Sequence, residues 1–187
     1  MKKVDLRKKY KSLRHILTQD QIEDYSITIA NQLLTLPIWN HSFYHLFLTI
    51  TAQHEVNTDY ILNILSGKDK NIVVSKSNFT NNTLTNYLLT DATTFKLSDY
   101  NIPEPIDGIE ILNHNIDVVF VPLLAFDLKG HRVGYGKGFY DNLLASCKPE
   151  TIKIGLSFFD AEAEIEDIFS GDIPLDYCVT PKQVYKF

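Results

Sequence analysis

Two stretches of helical apolar spacing open the chain. In the first, apolar residues recur at positions 4, 6, 10, 13 and 17, which predicts a basic amphipathic helix over residues 1–17. In the second, Thr18 and Gln21 match a capping box, and apolar positions 22, 25, 29 and 33 continue as a helix that ends before Pro37. The chain is therefore predicted to begin with two consecutive helices.

Strand patterns then alternate with further helical ones. Two more helices are predicted over residues 57–67, with Asn57 or Thr58 as the cap, and over residues 138–146. Apolar runs predict strands over residues 43–50, 71–76, 84–89, 117–122 and 151–159. The stretch 91–115, which contains Pro103 and Pro105, is predicted as a long loop. Units of this length indicate an α/β fold with three layers, α/β/α, around a mainly parallel central sheet.

Length and composition predict the number of domains and the cellular compartment. At 187 residues, with 44% hydrophobic and 22% charged residues, the chain is typical of one globular domain spanning 1–187. Its basic start has no apolar segment of the kind a signal peptide needs, and the longest apolar run is too short to cross a membrane. Cys147 and Cys178 lie far apart without a metal-ligand spacing. We therefore expect a cytoplasmic protein with no membrane partner.

Charge is concentrated at the start of the chain. Residues 1–14 carry seven Lys or Arg and one acidic residue, whereas the whole chain has a net charge of −5. Three interpretations remain open: a solvated amphipathic helix, an arm that binds nucleic acid, or a cationic arm that folds over one small phosphate ligand.

The stretch HRVGYGKGFYD (131–141) holds the densest candidate chemistry. Gly134, Gly136 and Gly138 alternate beside Lys137, and the predicted helix begins directly after them. Glycines let a backbone approach a ligand, and a helix N-terminus attracts phosphate. A carboxylate at position 141, one turn into the helix, suits a magnesium ion that accompanies the phosphates. The fold is thus expected to be Rossmann-like, but the glycine spacing matches neither a Walker A loop nor the dinucleotide fingerprint. A mere tight connection is the alternative interpretation.

A longer segment around these glycines resembles a known family. VPLLAFDLKGHRVGYGKGFYD (121–141) is similar to the signature of 5-formyltetrahydrofolate cyclo-ligases, roughly VPGLAFDxxGxRLGxGxGYYD. The resemblance extends to KVDLR (3–7), HEVNT (54–58) and NIPEP (101–105). This chain departs from the pattern at Leu123, where a glycine is usual, and at Phe139, where a tyrosine is usual.

The resemblance implies an ATP- and magnesium-dependent ligase. In that reaction ATP phosphorylates the formyl oxygen of 5-formyltetrahydrofolate, N10 closes the ring, and 5,10-methenyltetrahydrofolate, ADP and phosphate are released. A formyl oxygen carries no proton, so catalysis needs positioning and charge neutralisation rather than a general base. Accordingly, no Ser-His-Asp or Cys-His pattern is evident, and His41 and His45 are expected to have surface or packing roles.

Site residues follow from the resemblance position by position. Lys137 and Arg132 are the expected catalytic cations, and Asp141 and Asp172 the expected magnesium ligands, although Asp172 is equally compatible with a turn. The folate is expected to contact Ile50, Glu55, Tyr100, Tyr135 and Phe139. ATP is expected to contact Lys3, Arg7, Arg132, Gly134, Tyr135, Gly136, Lys137, Gly138, Phe139 and Tyr140.

Two other functions remain compatible with the sequence. One is a non-catalytic sensor that binds MgATP, and the other is a nucleic-acid-binding module that uses the basic arm. We expect a monomer that binds no nucleic acid, in which the remaining arm cations, Lys2, Lys8, Lys9, Lys11 and Arg14, are solvated.

Overall fold

A mixed seven-stranded sheet forms the centre of the molecule. The computed structural model describes residues 1–187. Four helices are present: α1 (Lys3–His15), α2 (Gln19–Leu33), α3 (Asp59–Gly67) and α4 (Phe139–Ser146). The strands are β1 (Phe43–His45), β2 (Asn71–Asn78), β3 (Thr83–Leu88), β4 (Phe95–Leu97), β5 (Pro103–Pro105), β6 (Val118–Pro122), β7 (Ala125–Phe126), β8 (Arg132–Val133), β9 (Ile152–Leu156), β10 (Tyr177–Val179) and β11 (Val184–Lys186). The central sheet has the order β11-β10-β9-β6-β1-β2-β3.

Helices cover both faces of this sheet. Successive side chains of a strand point to opposite faces, and β6 shows the pattern clearly. Val118 and Phe120 pack in the cluster that includes α2 and α3, whereas Val119 and Val121 pack in the cluster that includes α4. The three-layer α/β prediction is therefore confirmed.

The inner strands are parallel and the two edge strands are not. β2, β1, β6, β9 and β10 pair in parallel, whereas β3 runs antiparallel to β2 and β11 runs antiparallel to β10. Each edge strand is joined to its neighbour by a short connection, which antiparallel pairing permits. The prediction of a mainly parallel sheet holds for its centre.

Two predicted strands are wrong in length. The run 43–50 pairs only at Phe43–His45, and the run 151–159 only at Ile152–Leu156. Leu46 still donates its backbone N–H to the Val73 carbonyl of β2, and both Leu46 and Phe47 remain buried beyond the end of β1 because they pack into the core under α2 and α3. An apolar run in the sequence indicates that residues are buried, and here the buried segment is longer than the paired strand.

The predicted long loop contains a hairpin. β4 and β5 pair antiparallel within residues 91–115, with Phe95 opposite Pro105 and Leu97 opposite Pro103. Prolines are tolerated in edge positions of this kind, where no ladder hydrogen bond is lost. β4 is exposed along its length, so it carries no inside–outside alternation from which it could have been predicted.

Helix α1 packs against the rest of the protein through one face. Leu6 and Tyr10 lie in a small core with Leu124, Ala125 and Val133, which belong to the β7–β8 hairpin and the segment before it. This packing brings the basic arm beside the glycine-rich segment that follows β8. No helix of the structure has the length and apolar character needed to cross a membrane.

Candidate active site

A cavity of about 360 Å³ lies beyond the carboxyl ends of β1, β2 and β6. This is the edge at which open α/β sheets bind ligands. All of the residues that the sequence predicted for the site line it: Lys3, Arg7, Ile50, Glu55, Tyr100, Arg132, the segment 134–141 and Asp172. The structure thus brings together residues from both ends and the middle of the chain.

The glycine-rich segment between β8 and α4 exposes backbone to this cavity. Gly136 and Gly138 have φ values of 98° and 75°, which non-glycine residues rarely adopt. A Cβ at Gly136 would also lie 3.3 Å from the guanidinium of Arg7. Helix α4 starts at Phe139 with no side-chain cap, so its first backbone N–H groups are left for another acceptor. A phosphate is the acceptor that such a helix start favours.

Four cations surround this backbone in different ways. Arg7 donates from Nε to the carbonyl oxygen of Gly134 at 2.9 Å. Arg132 is buried, and its Nη2 contacts Asp141 Oδ1 at 2.7 Å. Burial lowers the pKa of Arg132, and the carboxylate of Asp141 opposes that effect. Lys3 forms an ion pair with Asp172, whereas Lys137 is exposed and makes no ion pair or hydrogen bond. Of these four cations, Lys137 is therefore the one whose charge is free to contact a bound ligand.

Asp141 and Asp172 are each held by a cation and a backbone amide. Asp141 Oδ1 accepts from Arg132 and, at 3.2 Å, from the Ile173 amide, while Asp172 Oδ2 accepts from Lys3 and from the Phe169 amide. Burial is the largest single influence and disfavours the charged form of Asp172, but the hydrogen bonds from Lys3 and the Phe169 amide, together with the charges of Lys3 and Arg132, lower its pKa. No three ligating side chains are grouped in this structure. The pair fits a magnesium ion that arrives with phosphates, because Mg²⁺ commonly takes one or two carboxylates plus phosphate oxygens and water.

The other end of the cavity is built around Glu55. Its carboxylate is buried, and it accepts hydrogen bonds from the Ile50 amide and the Tyr135 hydroxyl, both at 2.8 Å. Burial raises the pKa of Glu55 above the ordinary value for a carboxyl group. Both hydrogen bonds that the structure gives this carboxyl are accepted ones, so its surroundings are arranged to present N–H and O–H donors to it.

Aromatic rings form the mouth of the cavity. Tyr100 is 62% exposed, and its ring stacks on Phe79 with centroids 4.2 Å apart. Phe79 in turn contacts Phe139 edge to face at 5.1 Å. Phe79 was absent from the sequence-based set, because it lies in the β2–β3 connection and no motif marks it.

The model of the 5-formyltetrahydrofolate cyclo-ligase family matches residues 1–176. This chain belongs to that family. It is 27% identical over 179 residues to a 5-formyltetrahydrofolate cyclo-ligase of Haemophilus influenzae, a match covering 93% of this chain and 95% of that protein. A cyclo-ligase of Mycoplasma genitalium is 43% identical over 68 residues, which cover 36% of this chain and 38% of that one. The resemblance predicted from residues 121–141 is confirmed.

Solved structures of cyclo-ligase relatives have the same fold. The 5,10-methenyltetrahydrofolate synthetase of Aquifex aeolicus superposes with a TM-score of 0.81 at 30% identity, covering all of this chain and 93% of its own. The synthetase of Mycoplasma pneumoniae gives a TM-score of 0.76 at 21% identity, which supports the fold alone.

One departure from the cyclo-ligase signature is accommodated by packing. Leu123 is fully buried, and a Cβ added to Gly155 on the neighbouring strand β9 would lie 2.5 Å from its Cδ2 atom. The leucine side chain therefore fills the space that Gly155 leaves open.

The expectation that Arg14 is solvated is wrong. Arg14 is 3% exposed, its Nη1 donates to the Tyr135 hydroxyl at 2.9 Å, and its Nη2 donates to the carbonyl oxygen of Leu123. Residues four apart share a helix face, and Arg14 follows the buried Tyr10 by four. That spacing was the available signal. Lys9, by contrast, is half exposed and pairs with Glu162 at 2.5 Å.

His45 is a buried member of the cavity wall that the sequence did not assign to the cyclo-ligase site. Its Nε2 contacts Ser75 Oγ at 2.6 Å. From there a line of hydrogen bonds runs through Asn86, Asn113 and Ser146 to the backbone carbonyl of Asn142. A carbonyl can only accept, so each hydroxyl and amide in the line must donate toward it, and His45 must donate from Nε2. Its Nδ1 is then a lone-pair acceptor, and this atom is buried without a partner.

Proposed function

We propose that this chain converts 5-formyltetrahydrofolate to 5,10-methenyltetrahydrofolate, with ATP as the phosphoryl donor. The observation that carries the proposal is the cavity beyond β1, β2 and β6. There an uncapped helix start and several cations face a buried carboxylate at the other end, in a member of the cyclo-ligase family. Such a cavity suits a polyphosphate at one end and a ligand rich in N–H donors at the other.

The reaction balances without an acid–base pair from the protein. Transfer of the γ-phosphoryl group to the formyl oxygen releases ADP, attack by N10 forms the new C–N bond, and the phosphate group leaves with that oxygen and takes up the proton that N10 loses. Bound Mg²⁺ would neutralise charge on the phosphates. Asp141 and Asp172 are the residues proposed to hold it.

The chain's own contribution is to orient the reactants and balance charge. Arg132 is fixed from two sides by Asp141 and the Ile173 carbonyl, so it presents a rigid charge. Lys137 is unpaired, so its ammonium is proposed to follow the phosphoryl group during transfer. The N–H groups at the start of α4 and the guanidinium of Arg7 are proposed to bind the remaining phosphates.

The folate is proposed to occupy the end that holds Glu55 and the aromatic mouth. The stacked pair of Tyr100 and Phe79 offers a flat apolar surface to a ring system, and ring stacking of this kind contributes roughly 0.5–1.5 kcal/mol. Glu55 is proposed to accept from a ring N–H of the substrate.

Absorbance of the methenyl product, after protein, MgATP and 5-formyltetrahydrofolate are mixed, tests the proposal directly. We expect the methenyl product to accumulate with one ADP formed for each molecule of product. Binding of MgATP without ADP formation would instead identify a sensor.

A matched pair of substitutions tests whether the basic arm acts through position or through charge alone. Arg7→Ala and Lys8→Ala remove one charge each from neighbouring positions, but only Arg7 contacts the glycine-rich segment. We expect only Arg7→Ala to weaken ATP binding. Equal effects, together with salt-sensitive binding of random RNA, would favour the nucleic-acid interpretation. A monomeric state and a cytoplasmic location stay predictions, and light scattering tests the first of them.

A further inference from the structure

Two buried side chains, those of Arg14 and Glu55, and the partly buried Tyr135 between them connect helix α1 with the folate end of the cavity. Arg14 Nη1 donates to the Tyr135 hydroxyl at 2.9 Å, and that hydroxyl donates to Glu55 Oε1 at 2.8 Å. Tyr135 and Glu55 line the cavity, whereas Arg14 lies behind them and does not. Arg14 can therefore act on a bound molecule only through the other two groups.

The direction of this chain of hydrogen bonds is determined by its first member. A guanidinium has donors and no acceptor, so the Tyr135 oxygen must accept from Arg14. The hydroxyl has one proton, and with Arg14 behind it that proton is directed at Glu55. Without Arg14, nothing else in the structure donates to the Tyr135 oxygen, and the hydroxyl is held by its bond to Glu55 alone.

Arg14 is also the one cation that faces the Glu55 carboxyl. The other groups around it are the Tyr135 and Tyr140 hydroxyls and the Ile50 amide. Burial raises the pKa of Glu55, and the charge of Arg14 is the largest influence that lowers it. A buried carboxyl group without a nearby cation takes up a proton rather than remain charged.

The position of the Arg14 guanidinium lowers the stability of the folded protein. Its Nε is buried and has no hydrogen-bond partner. A buried unpaired donor lowers stability, and residues that break packing rules in this way are often retained for a functional reason.

We propose that Arg14 is a positioning residue that favours the ionised form of Glu55 and aims this carboxylate at the folate through the Tyr135 hydroxyl. An ionised carboxylate accepts hydrogen bonds and donates none, so it selects a substrate that presents N–H groups there. This inference rests on the proposed function, in which Glu55 meets the folate.

Carbon-13 NMR titration of the Glu55 side-chain carboxyl tests the inference without catalysis. Glu55→Gln identifies the resonance. We expect Arg14→Met to move the titration midpoint of Glu55 upward by about one pH unit or more, because an opposite charge nearby lowers a carboxyl pKa by roughly 1–3 units. Arg14→Lys keeps a charge and should shift it less. Lys8→Met, which removes an exposed charge from the same helix, is the matched control and should shift nothing.

The pH profile of kcat/KM for 5-formyltetrahydrofolate provides the functional readout. We expect the acidic limb of the profile to move up in Arg14→Met, in step with the NMR midpoint, while the KM for ATP stays nearly constant. Combining Arg14→Met with Glu55→Gln should cost no more than Glu55→Gln alone. A merely structural role would lower the rate without moving the limb.

Different outcomes separate the two claims. An unchanged Glu55 midpoint in Arg14→Met overturns the inference, whatever happens to the rate. If Arg14→Met does not fold, Tyr135→Phe removes only the connecting hydroxyl and must raise the midpoint, and an unchanged midpoint there is equally fatal. A further outcome is a wild type that makes no methenyl product while the Glu55 midpoint still shifts as expected in the variants. That result would contradict the proposed function and leave the electrostatic role of Arg14 supported.

Discussion

The buried ring of His45 makes stability depend on pH in a calculable way. His45 is 0% exposed, and desolvation lowers its pKa to about 4 in the folded protein. An unfolded histidine titrates near a pKa of about 6.5. Between these values the unfolded chain binds the proton and the folded chain does not, so stability is fully present above the unfolded pKa and falls as the pH is lowered. By linkage the loss reaches about 2 kcal/mol at about pH 5 and about 3 kcal/mol below about pH 4.

Urea unfolding of the wild type and of His45→Gln at about pH 7 and about pH 5 measures this contribution. Glutamine keeps an N–H that can reach Ser75 Oγ but does not titrate. We expect the wild type to lose about 2 kcal/mol more than the variant between the two pH values, since all other titrating groups cancel in the comparison. His114→Gln, at an exposed histidine, is the control and should behave like the wild type.

Equal losses in the wild type and in His45→Gln would refute the reasoning. They would mean that the folded protein accommodates the proton on His45. The line of hydrogen bonds to Asn142 explains why the folded protein should not accept this proton. Nε2 already donates to Ser75, and a proton on Nδ1 would be buried without an acceptor. Nitrogen-15 shifts of the ring report the same point, and we expect the Nε2–H tautomer.

Three further substitutions test the roles proposed at the cavity. Asp141→Asn should reduce turnover by at least about 10-fold with partial rescue by excess magnesium, and unchanged activity at limiting magnesium would remove the metal assignment. Lys137→Met should lower kcat by on the order of 10²-fold, since a well-placed electrostatic donor contributes roughly 2.7–4 kcal/mol; a change confined to the folate KM would move this side chain to the other end of the site. Tyr100→Ala should raise the folate KM up to about tenfold with little change in melting temperature, because the ring is largely exposed; parallel loss of ATP binding would argue against this division of the cavity.

Local patterns predicted the elements whose signals are local. The capping box at Thr18 and Gln21 is present, and the predicted strand 117–122 appears as β6 at Val118–Pro122. The end of β1 could not be predicted, because burial continues through Leu46 and Phe47 after the pairing has stopped. The hairpin at 95–105 was missed because its exposed strand has no alternation.

The residues of the candidate site also divide into those with a local sequence signal and those without one. The glycines and Lys137 indicated a phosphate site from their chemistry and spacing, whereas Glu55, Tyr100 and Asp172 came from the family resemblance. Arg14 was misjudged because its charge was weighed without its helix face. His45 could not have been found, because its partners lie on strands and loops far along the chain, and only folding shows which atoms face one another.

The ion pair between Lys3 and Asp172 also constrains when the protein can assemble. Its two residues are 169 positions apart in sequence, and the amino terminus is further joined to Glu164 and Glu166. Contacts of such long range slow folding, because loop closure has to precede the contacts that reward it. During synthesis, helix α1 leaves the ribosome long before these partners and meets them only after the intervening residues have followed. The wall of the cavity that α1 supplies is therefore made well before the segment that fixes it in place.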